Sequence, residues 1–293
     1  LGRGSVLALA LGGVALAAPS LAQANPNCNS VITHSVTLHS NMSCPGTTAL
    51  FVGNDGITIN LNGFTISGNN TNNTNGIDNA GDWSSSAHNS GGTSGPGAGF
   101  NRVTIENGNV RDFVTGIFVN KASRQKISNM TATGNGCNGL DMLNSITATI
   151  TGSHFNRNGF TNNCDGVDMA FNAKVVVGPE VSADGNESFG LFDEDSQATL
   201  NKVRAKQNGA GGFGIDAPLA KYLVEHSLAK GNHNGDGFHV ESNQFGTITF
   251  TSNTSENNNG WGYFADVHAK GTNNGFQNDS SGGCHNVGGC HHL

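Results

Sequence analysis

Apolar residues along this chain alternate in short runs and never persist at helical spacing. Val103-Thr104-Ile105, Ala148-Thr149-Ile150, Val175-Val176-Val177 and Ile248-Thr249-Phe250 each put the first and third side chains on one face, the period of a half-buried strand. A longer beat overlies this one. Gly followed by an apolar residue recurs at Gly76-Ile77, Gly116-Ile117, Gly139-Leu140, Gly166-Val167, Gly190-Leu191, Gly214-Ile215, Gly237-Phe238 and Gly262-Tyr263, and after one long interval the steps are 23, 27, 24, 24, 23 and 25. Asn135, Asn158, Asn186, Asn208, Asn232 and Asn258 keep the same rhythm. Short alternating strands with a fixed period predict an all-β chain, a single β-solenoid of about 24 residues per coil and roughly nine coils. Leucine-rich repeats share the period, but their leucine signature is absent. The Asn column reads as structural, because Asn tolerates left-handed turns and stacked amides bond along the coil axis.

Composition narrows the function classes. The chain has 293 residues, 14 Lys and Arg against 21 Asp and Glu, and a formal net charge of −7, which argues against a nucleic-acid groove. Residues 1–24 have one cation (Arg3), an apolar run and small residues at Ala22 and Ala24, the order of a secretory signal peptide. The remainder is expected to be periplasmic or secreted, monomeric and without a membrane span. Residues 25–56 are assigned as an N-terminal cap, 57–271 as the solenoid, and 272–293 as a C-terminal tail. A Ser- and Gly-rich insertion at 79–99 carries Trp83 and His88 and reads as a mobile loop or a lid.

Export permits disulfides. Cys28 and Cys44 bracket one short segment, and Cys284 and Cys290 another. Cys137 and Cys164 both lie two residues before a marker Gly, so stacking places them about 5 Å apart, within disulfide reach. The expected pairs are Cys28–Cys44, Cys137–Cys164 and Cys284–Cys290. The alternative for the tail is zinc or copper held by its Cys and His residues.

At this point the residues carry a resemblance. The opening ITHSVTLHSNMSCPGTTALFVGNDGITINLNGFTISG and the repeat NHNGDGFHVESN are similar to the right-handed parallel β-helix family of pectate-lyase-like type. The resemblance runs from Asn29 to about Gly271 and implies the fold. The family includes polysaccharide lyases, glycoside hydrolases and uronan epimerases. Asn163-Cys164-Asp165-Gly166-Val167-Asp168 resembles the first acidic motif of the polygalacturonases. The partner acid one coil later is replaced by Ser188-Phe189-Gly190-Leu191-Phe192, so that assignment fails. Gly214-Ile215-Asp216-Ala217-Pro218 does not supply the acidic motif of an epimerase, and Arg204, Lys206 and Lys230 sit on another strand from the acids, which weakens a lyase reading.

Stacking also suggests a site. The residue two after each marker Gly is expected to face outward, giving a column of Asp78, Phe118, Asp141, Asp168, Phe192, Asp216, His239 and Phe264. Rings suit sugar faces, and acids bind hydroxyls, hold Ca²⁺ or move protons. Catalytic candidates are Asp141, Asp168, Asp216 and His239; binding candidates are Phe118, Phe192, Phe264, Asp193 and Glu194. Asp141 and Asp168 stand one coil apart, about 5 Å, near the separation of a retaining carboxylate pair, and are a possible Ca²⁺ site; Asp168 and Asp216, about 10 Å apart, approach the inverting separation. The competing explanation is that such Asp residues only hold turns. The expected role is an exported module presenting a lateral groove to an extended polysaccharide, a cell-envelope glycan or a partner protein, non-catalytic, or an envelope scaffold. The alternative is a polysaccharide lyase or glycoside hydrolase acting through the Asp column.

Overall fold

The structure is a computed structural model describing residues 24–71, 74–81, 83, 97–144, 146–161, 163–216, 221–241 and 246–293. Every regular element among them is a β-strand, and every pairing is parallel. The alternating apolar positions become inward ladders. In one sheet Leu50, Ile77, Ile117, Leu140, Val167, Leu191, Phe213, Phe238 and Tyr263 stack in register, all buried. In a second, Ile59, Ile105, Ile127, Ile150, Val177, Leu200, Val224 and Phe250 do the same. A third sheet of short strands, such as Thr254–Glu256 on Asn274–Gln277, completes each coil. Burial of these aliphatic and aromatic columns in a common interior is the main driving force for closing the coil.

The first sheet runs from Ser30–Ile32 to Gly282–Val287 in ten coil-to-coil steps, about 48 Å at the parallel strand spacing. This is about one coil more than the repeat count predicts. The difference lies at the ends: Ser30–Ile32 pairs with Leu50–Val52, and Cys290–His292 pairs with Asn274–Gln277. Strands from both 25–56 and 272–293, the expected cap and tail, thus pair into the parallel ladder. Disulfides join Cys28 to Cys44, Cys137 to Cys164 and Cys284 to Cys290. The Cys137–Cys164 α-carbons are 4.9 Å apart, one coil step.

The Asn column is a buried hydrogen-bonded ladder. From Asn135 through Asn158, Asn186, Asn208 and Asn232 to Asn258, each backbone N–H and side-chain amide donates to the Oδ1 of the next, and Asp279 ends the series. The left-handed backbone is one residue earlier than expected, at Gly134, Arg157, Gly185, Gln207, Gly231 and Asn257. The ladder Asn residues serve for their amides, not their φ angles. Residues 1–23 of the expected signal peptide, and His88, lie outside the described residues. Trp83 is half exposed, and its Nε1 donates to the Val52 carbonyl at 3.3 Å. Among the described residues no helix is long and apolar enough to cross a membrane.

Candidate functional site

The outward face of the first sheet carries most of the predicted column. Asp78, Phe118, Asp141, Asp168 and Phe192 are register partners on successive coils. The next partner of Phe192 is Gly214, not Asp216; then come His239, Phe264 and His285. The marker of that coil is therefore Gly212, with Phe213 pointing inward between Leu191 and Phe238. Gly211-Gly212-Phe213-Gly214-Ile215 offers two Gly–apolar pairs two residues apart, and a two-residue slip keeps every side chain on its own face. Asp216 belongs instead to the neighbouring outward column, in register with Glu194 before it and Glu241 after it.

Towards the N-terminal coils the face is closed. Phe118 has no exposed surface and packs with Ala80, Leu143, Ala170 and Phe171, so this ring is not open to a ligand. Asp141 is fully buried, with Asn138 as the polar side chain facing its carboxyl. Burial pushes it up to about 7, and the charge of Asp165 adds to the effect. Burial and the charges of Asp141 and Asp165 hold the half-buried Asp168 well above the usual carboxylate range, while Asn138 Nδ2 donates to its Oδ2 at 3.2 Å. Burial raises Asp165 as well, to about 6, so three acids with raised pKa values stand together here, and Asp141 is sealed from any sugar. Among the described residues no three His, Cys, Asp or Glu side chains are grouped to hold a metal ion.

Asp193 also departs from expectation. It pairs with Met169 and Ile215, which face the core, and is itself buried there. Burial raises it to about 7. The bend expected to turn it outward is a continuation of the strand Phe189–Glu194, whose alternation sends Glu194 out and Asp193 in.

Sequence reasoning passed over the residue just before each marker Gly. There Asn138 Oδ1 accepts the Asp165 N–H (2.8 Å), Asp165 Oδ1 accepts that of Phe189 (2.7 Å), and Asp236 Oδ1 accepts that of Trp261 (2.5 Å). The turn-holding role expected of the outward acids falls to these residues instead. Asp236 does more, because its Oδ2 lies 2.5 Å from His239 Nδ1. The signal was present in Asp236-Gly237-Phe238-His239: positions three apart across a marker Gly meet on the same face.

Towards the C-terminal coils the face is open and aromatic. His239, Phe264 and His285 stack with ring centroids 5.0 Å apart at both steps, and Trp261 lies 5.5 Å from His285. Phe264, sandwiched between two rings, presents only its edge. Gly214 interrupts the ladder, leaving between Phe192 and His239 one coil that bears no side chain in this column, and the Phe192 and Phe189 rings lean over it. Phe189 stacks on Phe192 at 5.5 Å. Two hollows share Phe189 and His239 as walls: one of about 90 Å³ reaching Asp216 and Glu241, the other of about 420 Å³ reaching Asp236 and Ser281. Desolvation alone would lower the His239 pKa, yet Asp236 and Glu241 together raise it. Glu241 lies 3.3 Å from Nε2 and is largely exposed, so this second contact is free to open to a ligand. Burial and the charges of Asp195 and Asp216 raise Glu194. The arrangement offers ring faces, a row of carboxylates and an imidazole held towards its charged form.

No protein-family model matches this chain, and no curated protein matches it. Solved structures do. A pectate lyase, Pel9A, superposes with a TM-score of 0.52 at 16% identity over 88% of this chain. The fold is that of the pectate-lyase-like parallel β-helices. This chain spans 65% of that enzyme's length, less than two thirds, and at such identity the likeness extends to fold alone. The A-module of the Azotobacter vinelandii mannuronan C-5 epimerase AlgE6 matches at 12% identity, 88% of this chain and 80% of its own, with a TM-score of 0.46. An alginate lyase from Paenibacillus sp. str. FPU-7 matches at 12% identity, 87% of this chain and 98% of its own, with a TM-score of 0.43.

Proposed function

We propose that the protein is an exported glycan-binding module whose site is the outward face of the first sheet between Phe192 and Phe264. The observation that carries this reading is the Gly214 interruption, beside which Phe189, Phe192 and His239 wall a hollow on the outward face. Sugars pack their apolar faces on aromatic rings and turn their hydroxyls to carboxylates. Glu194, Asp216 and Glu241 supply those acceptors on three consecutive coils. The smaller hollow is too small for a free small-molecule ligand, whereas a chain laid across His239 would use both. Three disulfides suit an oxidising compartment, periplasmic or extracellular.

Affinity electrophoresis over a panel of soluble polysaccharides tests the reading. At least one neutral glycan should retard the protein, and Phe192→Ala or His239→Ala should weaken that binding about tenfold with little change in melting temperature. Retardation by none of the panel, or unchanged retardation of both variants, overturns it. A catalytic reading has one specific support, the Asp236–His239 contact beside the larger hollow, where an imidazolium could serve as a general acid. Release of reducing ends or of ultraviolet-absorbing unsaturated products from the bound glycan, lost in His239→Ala, would establish it.

A further inference from the structure

Far fewer cations than acids are available to this chain, yet three gather in one place. Arg124, Lys126 and Lys174 line a cleft of about 560 Å³ on the second sheet, with Thr147, Thr149 and Thr151 between and beside them. None of the residues lining the cleft is acidic or aromatic. None of the three cations forms an ion pair among the described residues, whereas Arg102, Arg111, Arg204 and Lys230 each do. Glu106, on the neighbouring coil, accepts a hydrogen bond from Asn60 Nδ2 at 3.1 Å.

Register sets the spacing of these charges. Thr147 partners Lys174, and Gln125 partners Ala148, so Arg124, Thr147 and Lys174 form one column along the coil axis. Arg124 and Lys174 are thus two coils apart, about 9.6 Å at the backbone, and Lys126 is two residues on from Arg124, which stands just before the strand Gln125–Thr133 in the left-handed region. Drawing all three onto one small anion would press like charges together. A chain carrying successive anionic groups meets them where they stand. Taken singly, the Arg offers five N–H donors and each Lys three, so each cation can engage more oxygens than the two of one carboxylate. An ester with three terminal oxygens fits that surplus better. Thr147 and Thr149, placed between the cations, suit sugar hydroxyls, and the lack of an aromatic platform argues against nucleic-acid bases.

We propose that this cleft binds a glycan chain bearing sulfate or phosphate esters, held along the coil axis by Arg124, Lys126 and Lys174. It is separate from the face carrying His239 and does not depend on the function proposed for that face.

The test compares four polymers of one backbone: dextran sulfate, phosphorylated dextran, carboxymethyl-dextran and unmodified dextran. At a fixed moderate salt concentration, the sulfate or phosphate form, or both, should bind at least about tenfold more tightly than the carboxymethyl form, and unmodified dextran should not bind through this cleft. Which ester binds more tightly identifies the source of the oxyanion. Lys126→Gln/Lys174→Gln should lose about tenfold, and Arg124→Gln should lose a comparable amount. Lys202→Gln/Lys206→Gln, which removes the same charge elsewhere, should bind like the parent. Circular dichroism and melting curves verify that each variant is folded. Equal loss in the Lys202/Lys206 variant, equal binding of carboxymethyl-dextran, or tighter binding of duplex DNA overturns the proposal.

Discussion

Asn208 shows what a single side chain does in this fold. Its Oδ1 accepts the backbone N–H of Asn186 at 2.9 Å and the Asn186 amide at 3.1 Å, while its own Nδ2 donates to Asn232 Oδ1 at 3.1 Å and to the Ala183 carbonyl at 3.0 Å. All of these groups are buried, so Asn208→Ala strands donors and acceptors that water cannot reach. The expected loss is about 2–4 kcal/mol, against about 0.5 kcal/mol or less for the exposed Glu241→Gln. Urea denaturation of the two variants measures the contrast, and similar losses would show that the ladder is dispensable. The column was legible in the sequence from its period. Its mechanism was not, because only the structure shows the left-handed residue to be the one before.

Strands and their registers decide which glycines matter. A Cβ on Gly212 would come 2.5 Å from the Gly237 carbonyl, a backbone atom of the next coil that cannot withdraw without breaking the ladder. A Cβ on Gly214 would meet Phe192 Cδ2 at 2.7 Å, an atom of a surface side chain rather than of the backbone. Gly212→Ala should therefore cost about 1–3 kcal/mol as an overpacked core position. Gly214→Ala should cost clearly less and yet reduce glycan retardation, because it moves the Phe192 ring that walls the smaller hollow. Melting curves beside affinity electrophoresis separate the two. A larger stability loss at Gly214 would place the marker where the repeat alone suggested.

At the scale of the whole molecule, each coil touches chiefly its neighbours, so a defect weakens one step of the stack. The middle coils hold an unusual store of protons. In the unfolded chain Asp193 and Asp141 ionise near 3.8; in the fold both are raised to about 7, by burial first. Between these values the folded chain binds more protons than the unfolded one. Stability is therefore full below about pH 4 and is lost as pH rises through 7. His239, raised above 6.5, acts in the same direction, its contribution fading as pH climbs through its folded value. Calorimetry should show the melting temperature falling from about pH 5 to about pH 8. Asp193→Asn should flatten that fall and approach or exceed the parent at the alkaline end. A parent whose stability is level or rises over this range would mean that these carboxyls ionise freely in the fold.

The sequence by itself determined the solenoid, its period, the inward aliphatic columns and the stacking of Cys137 on Cys164. All of these follow from short-range alternation repeated at a nearly constant interval. It also placed Asp168, Phe192, His239 and Phe264 on one outward face. The tertiary structure alone decided the rest. A two-residue slip leaves the inside–outside pattern unchanged, so only the packing of Phe213 between Leu191 and Phe238 assigned Asp216 to the neighbouring column. Asp141 and Phe118 point outward as their alternation requires, but they are covered, and burial depends on what packs over a strand rather than on the strand's own pattern. The pairing of Asp236 with His239, and the gathering of Arg124, Lys126 and Lys174, arise where successive coils set distant residues side by side, a proximity that follows from register rather than composition.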